Sequence, residues 1–475
     1  MSSKGTAYID RTPSSGGNRK TWTWSCWLKR TGVNSAQRLF SAGSSIGTNN
    51  DNLLSVLFES DNTLKIFSEV SASTVIDLRT TRVFTDTFGY YHIVIAFDTT
   101  QATAADRVKI YVNGTQETAL SATTYPSLNL DTFVNHTVKH RIGYTGSSFD
   151  GIMSHMHFAD GTAYAASTFG ETDSTTGEWK LTLSPSFTLG TNGFTIFKDD
   201  NTITDQSTNS NDWTQANGSI SATQDCPSNV FCTMNDTEFD FANADSDIGA
   251  GGTFVYPRAN GNYTYAMSTL AMPKGNGKFY FEAKRIVYDT VEAAVGIVDA
   301  EFSSEIFYEN RPIVTATNTT AIGRVLANSD GHSIISGTAN SSYGLGSLAD
   351  GDIVCMACDM ENGAFYFRKN DGSWANSGDP TSGASKTGAI DISATSQWTS
   401  SSHWRVWCGD GATNHDRWAF NFGNGNFPSQ SGSFGSQSYS TTAVSSAGTN
   451  ASGIGIFEFD VPTGYTALCT KGLNE

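Results

Sequence analysis

Among the acidic residues that stand two positions apart in this chain are the pairs Glu171/Asp173, Glu238/Asp240, Asp359/Glu361 and Glu458/Asp460. On a β-strand residues i and i+2 point to one face, so each pair could aim two carboxylates at one substrate. That is the equipment of glycosidic-bond hydrolysis, where one carboxyl protonates the leaving group and the other acts as base or nucleophile; retention needs them about 5 Å apart. Asp359/Glu361 runs straight into Asn362-Gly363, a turn signal that ends the strand.

Other chemistry is thinner. Gly43-Ser-Ser-Ile-Gly47 fits the Gly-x-Ser-x-Gly pattern around Ser45, but Thr48-Asn-Asn-Asp-Asn52 follows it, a polar turn where a nucleophile elbow needs a helix. His155 and His157 share a strand face by period two. They could ligate a metal, but no third ligand is evident, and they read as ordinary strand residues. Asp98, Asp106, Asp150 and Asp160 fall at predicted strand ends, where loop oxygens can hold Ca²⁺; such acids are also common without a metal. No cofactor is implied, and Ca²⁺ stays an open option. Of the seven cysteines, Cys355/Cys358 form a CxxC and Cys226/Cys232 a looser pair. Without a second close pair or nearby histidines zinc is not indicated, and the thiols read as structural.

The elements that would position these residues are strands. Gly is frequent (46), aromatic residues make up 12% and charged residues only 16% of the 475-residue chain, the balance of an all-β protein with many turns. The length suits two domains. The formal charge is −17, from 29 basic and 46 acidic residues, which repels phosphate backbones and argues against nucleic-acid binding. No apolar run reaches bilayer-spanning length, and Met1-Ser-Ser-Lys-Gly-Thr-Ala7 lacks the apolar region of a signal peptide, so a soluble protein without membrane insertion is expected.

Along the chain, Trp22, Trp24 and Cys26 alternate with Thr23, Ser25 and Trp27, as in a strand with one buried face. Tyr90–Phe97 is the most apolar run and reads as a central strand, and Asn113-Gly114 is the dipeptide suited to a type I′ hairpin turn. Residues 199–245 are polar, interrupted by Trp213 and Cys226-Pro227, and read as a connector draped on a neighbour. Further short strands follow, among them Lys278–Lys284, Asp352–Cys358, Ala364–Arg368 and Arg417–Phe422; residues 428–452 are Ser/Gly-rich and read as a loop. The organisation expected is 1–198, a connector at 199–245, and 246–475. The absence of βα alternation points to antiparallel sandwiches.

In the first half, Trp24-Ser-Cys-Trp-Leu-Lys29, Leu39-Phe-Ser-Ala-Gly43, Tyr91-His-Ile-Val94, Lys109-Ile-Tyr-Val-Asn-Gly114, Arg141-Ile-Gly143 and Phe149-Asp-Gly-Ile-Met153 occur in order. That order resembles the laminin-G/pentraxin-like group of concanavalin A-like lectin/glucanase domains. The second half resembles a SPRY domain, through Gly277-Lys-Phe-Tyr-Phe-Glu282, Val295-Gly-Ile297, Gly351-Asp-Ile353 and Asp359 through Asn370. The tandem, with Phe169 through Trp179, Gly190-Thr-Asn-Gly-Phe194 and Pro462 through Cys469, is similar to large virion-associated proteins of aquatic bacteriophages.

The resemblance implies an all-β fold of two concanavalin A-like antiparallel β-sandwich (jelly-roll) domains in tandem. Retaining glucanases of this architecture carry Glu-x-Asp-x-x-Glu; here the third position holds Thr176, Asn243 or Thr463, so no catalytic residue is assigned. What is expected instead is a non-enzymatic virion component (appendage, fibre or decoration protein) that binds host-surface polysaccharide. A purely structural protein docking on other virion proteins is the alternative, and a glycan hydrolase the less favoured one. A homo-oligomer is left open. Sugar rings stack on aromatic faces, so the loop residues Tyr144, Tyr263 and Tyr343 are the candidate glycan contacts.

Overall fold

The computed structural model describes residues 7–44, 46, 51–143, 146–198, 202–218, 220, 222–239, 247–256, 264–287, 294–299, 321–326, 333–335, 338–340, 345–346, 348–410, 417–431, 438–444, 448–449 and 453–474. The described chain is almost wholly antiparallel β-sheet; helix is confined to short 3-10 turns and the five-residue α-helix Ser396–Ser400. It divides into two compact units, one built mainly from residues 1–222 and one mainly from 229–430 and 441–475.

The first unit is a sandwich. One sheet has eight strands in the order Leu120–Thr124, Ser73–Val83, Thr63–Val70, Asn52–Phe58, Gln37–Gly43, Lys139–Ile142, Tyr8–Arg11, Thr214–Asn217. The other has six: Phe194–Ile196, Gly151–Asp160, Thr21–Arg30, Tyr91–Asp98, Val108–Val112, Thr115–Glu117. Trp22, Trp24, Cys26 and Leu28 alternate inward and meet Phe40, Leu54, Val56 and Ile66 of the facing sheet in one continuous core. Trp22 stacks on Phe97 of the neighbouring strand at 4.4 Å and 12°. The Asn113-Gly114 turn closes its hairpin with φ of 46° and 81°, the two positive values that a type I′ turn requires.

The expected half-exposed strand is a different object. Thr21–Arg30 is buried on both faces from Trp22 onward. Its outer side chains Thr23, Ser25 and Trp27 are covered because the chain returns over them after Asp160, with Tyr164, Phe169, the Gly170–Thr172/Trp179–Leu181 hairpin and Phe187 packed on this face. The polar stretch after residue 198 also belongs to this unit as far as Ala222. Asp205 organises it by accepting from the backbone N–H of Thr195 (2.9 Å), Ser207 (2.9 Å) and Asn211 (2.8 Å), while Trp213 is buried edge-on against Phe194 at 5.1 Å.

In the second unit, a seven-stranded sheet runs Met234–Phe239, Thr264–Pro273, His403–Asp410, Ala294–Asp299, Ala321–Leu326, Ser333–Ile335, Thr338–Asn340. A second sheet runs Asp247–Gly249, Phe254–Tyr256, Arg417–Asn421, Lys278–Val287, Ile353–Asp359, Ala364–Lys369, Ile390–Asp391, and Thr466–Ala467 adds to Lys278–Val287 in parallel. The Ser/Gly-rich 428–452 stretch, expected as a loop, contains the strands Ser438–Ala443 and Gly448–Thr449.

Candidate functional site

On the covered outer face of the first unit, register sets Ser25 beside Val94 and Trp27 beside His92. His92 is fully buried and sandwiched, with Trp27 stacked on it at 4.6 Å and Trp179 at 6.0 Å. The Trp179 Nε1–H donates to His92 Nδ1 at 3.0 Å, and His92 Nε2 lies 2.9 Å from Ser25 Oγ. An indole N–H can only donate, so Nδ1 must accept and the single proton of the neutral ring sits on Nε2, donating to Ser25. Burial, with the His157 ring nearby adding to it, lowers the His92 pKa to about 3 and keeps the ring neutral. Ser25 and His92 therefore look like a nucleophile and base but are wired in the opposite sense. The hydroxyl receives a proton donor, and the atom that would have to take its proton is occupied.

Beside this stack lies a cavity of about 250 Å³. Its walls include Phe187, Leu183 and Pro185 on one hand and Thr195, Lys198 and Gln206 on the other, with His157 between them. Sequence spacing alone places His155 and His157 on one face. The structure inserts a β-bulge between Ser154 and His157, so that His157 lies opposite Ser25 and Thr195 while His155 takes φ of +46°. The His155 N–H donates to the Phe197 carbonyl at 2.9 Å, and Phe197 is itself left-handed with φ of +58°. Two bulky residues in that region cost about 1–2 kcal/mol each, strain of the kind that gathers where a site must be shaped. Lys198, the residue after Phe197, lines the cavity.

His157 is held by Thr195 Oγ1 at 3.0 Å from Nδ1, stacks on Phe169 at 5.6 Å and meets the Phe187 edge at 5.6 Å. Its Nε2 is buried with no hydrogen-bond partner, a deficit of about 1–3 kcal/mol. Desolvation, then the nearby His155 and Lys198, lower its pKa to about 3.

Two of the carboxylate pairs are engaged elsewhere. Glu171 and Asp173 each hold Lys180 at 3.3 Å on an exposed hairpin, and Asp173 is brought down to about 2 by the N–H groups of Thr176 and Thr175 and by Lys180. Asp359 is buried against Lys278 at 3.2 Å and accepts from Asn362, closing the turn that ended the strand in sequence. The Glu458 N–H and the Asp460 carbonyl serve through backbone groups. Asp240 lies outside the described residues, as do Ser45 and the three candidate glycan contacts Tyr144, Tyr263 and Tyr343.

Nor are the four strand-end aspartates gathered. Asp160 ties three loops, accepting from Asn18 N–H (2.7 Å), Asn135 Nδ2 (2.9 Å) and Asn192 N–H (3.0 Å), and Gly17 and Gly190 approach it more closely than any Cβ would permit. Asp98 accepts from Thr100 and Gln101, Asp106 pairs with Lys109 at 3.3 Å, and Asp150 accepts from Thr31. Among the described residues no three His, Cys, Asp or Glu side chains form a metal-binding group.

In the second unit Cys355 and Cys358 are free, buried thiols, three apart on a strand and therefore on opposite faces. Cys355 lies opposite Glu282, a fully buried carboxylate. Glu282 accepts from the N–H groups of Glu458 and Phe459 (3.0 Å each), from Tyr280 Oη (3.1 Å) and from Asn421 Nδ2 (3.1 Å). Desolvation outweighs these donors and raises its pKa to about 7. This carboxylate clamps the C-terminal segment through the main chain of Glu458 and Phe459.

Apart from His157, the cavity residues were not singled out in the sequence. The one available signal was Asp205-Gln-Ser207, an aspartate followed two residues on by a serine, the local pattern of a side chain that folds its own backbone into a turn.

The chain has structural likenesses to the SPRY domain of human HERC1 (10% identity, 39% of this chain and 96% of that one, TM-score 0.29). Others are a heptameric SAP-like pentraxin from Limulus polyphemus (16%, 34% and 73%, 0.26) and tailspike protein 2 of the Escherichia coli O157:H7 bacteriophage CAB120 (9%, 34% and 22%, 0.24). At these scores the likenesses carry no argument about ligand or partner. No curated protein matches the chain. Residues 3–167 match the family described as the concanavalin A-like lectin/glucanases superfamily, in its laminin-G form, and the first unit thus carries a domain of that kind.

Proposed function

We propose that this chain is a non-catalytic component of a phage virion whose first unit binds host-surface glycans. The glycan part is supported by one conjunction: the unit that contains the lectin/glucanase-type match over residues 3–167 also holds, between His157 of that match and residues 183–208 beyond it, a cavity with an aromatic and aliphatic wall facing hydroxyl, amide and ammonium groups. Sugars present the same two characters, an apolar ring face and a rim of hydroxyls. Binding is favoured over hydrolysis because Glu171, Asp173 and Asp359 are committed to Lys180 and Lys278, and because Trp179 fixes His92 in the tautomer that cannot activate Ser25.

The virion part rests on the tandem sequence resemblance, with the second unit as the SPRY-like module that meets other virion proteins. A glycan array probed with the purified chain tests the first part; no signal on any bacterial surface polysaccharide counts against it. Immunogold labelling of purified particles tests the second, and absence of label from every particle surface would remove it.

A further inference from the structure

The electrostatics of the cavity narrow what it could hold. In a chain of formal charge −17, the described residues lining this cavity include one cation, Lys198, and no carboxylate. Asp205 spends both oxygens on the Thr195, Ser207 and Asn211 main chain and on the Ser207 hydroxyl, so it shapes the wall from behind. Lys198 is held in place from its own backbone: its N–H donates to Gln206 Oε1 at 2.9 Å, and the residue before it is fixed in the left-handed conformation. A strained, hydrogen-bonded backbone that brings a lysine to a half-apolar cavity whose other described lining residues carry no charge is a built anion subsite in a protein whose general field repels anions.

We propose, resting on the glycan reading above, that this cavity takes a carboxylate-bearing sugar residue, a uronic or nonulosonic acid unit of an acidic polysaccharide. Lys198 receives the carboxylate, Thr195, Gln206 and Thr208 face the hydroxyls, and Phe187 covers the apolar side of the ring. The volume of about 250 Å³ suits one such residue with its neighbours in the chain left outside, past the exposed Leu183. The burial that keeps His157 uncharged leaves Lys198 as the charge that decides selection.

The test is calorimetric titration of the full chain with tetragalacturonate, tetraglucuronate and a tetramer of N-acetylneuraminate, each against its methyl ester, which preserves size and hydroxyls while removing the charge. At least one acid should bind, its ester at least tenfold more weakly; K198M should erase that difference, and K198E should abolish acid binding. F187A should weaken both forms. Equal binding of an acid and its ester, or an acid preference that survives in K198M, overturns the proposal and leaves the glycan reading standing if F187A still weakens binding. If neutral glycans from an array bind but none of these acids does, the proposal likewise fails alone; if nothing binds, both fall.

Discussion

Trp179 Nε1 donates to His92 Nδ1 at 3.0 Å, and through that bond a hairpin outside the sandwich decides the proton position on a histidine inside it. The ring in turn donates to Ser25, so three residues far apart in sequence form one directed chain. W179F keeps the ring stack and removes the donor. It should lower the stability of the first unit by about 1–2 kcal/mol, read as a shifted unfolding midpoint. In the wild type, nitrogen NMR of His92 should show the proton on Nε2; a proton on Nδ1 would contradict the wiring.

The same indole explains two glycines. A Cβ on Gly114 would sit 2.4 Å from the Trp179 ring and one on Gly170 would sit 2.5 Å from it, and Gly114 also has φ of +81°. G114A should cost about 2 kcal/mol or more through strain and collision together, and G170A should displace the ring without the φ penalty. Thermal unfolding and tryptophan fluorescence of both variants report this, and a neutral G170A would mean that the hairpin is not seated on the sheet.

Acid should weaken the first unit. Burial lowers His92 and His157 to about 3 and His140 to about 4, so between those values and the unfolded value of about 6.5 the unfolded chain binds protons that the folded unit refuses. Their contribution is complete above about pH 6.5 and is lost as pH falls toward the folded values, at up to about 1.4 kcal/mol per unit for each ring. Denaturant midpoints at pH 7.5 and 5 measure it. In H92Q/H157Q the share of the slope from those two rings should disappear and that of His140 should remain.

Glu282 gives the second unit the opposite sign. Its folded pKa is raised from 4.5 to about 7, so the folded unit binds a proton that the unfolded chain has released, and its contribution is complete below about 4.5 and declines as pH rises through 7. Hydrogen exchange of the Lys278–Val287 amides should quicken across that window. E282A, which strands the Glu458 and Phe459 N–H groups, should cost about 3 kcal/mol and loosen the C-terminal segment at every pH.

What was legible in the sequence follows the range of the interactions involved. Trp22–Leu28, Tyr90–Phe97 and the Asn113-Gly114 turn are set by alternation and by local φ preferences, and those signals are written in adjacent residues. That Ser25 and Trp27 are buried was not legible, because the cover comes from residues more than 130 positions later. The bulge at His155 left no mark either: one extra residue in a strand changes which face His157 takes without changing composition. The cavity wall at 183–208 has no periodicity, and its order comes from Asp205 and from the burial of Trp213. Loop tyrosines were therefore the sequence's candidates, whereas the described aromatic wall is Phe187.

The central claim is that the cavity beside His157 is where the first unit meets a glycan. Its most direct measurement is calorimetric titration of wild type and F187A with the oligosaccharide that gives the strongest array signal. The account predicts saturable binding by wild type and at least a tenfold loss in F187A, with the unfolding midpoint of the variant close to that of wild type. Undiminished affinity in a folded F187A would contradict it.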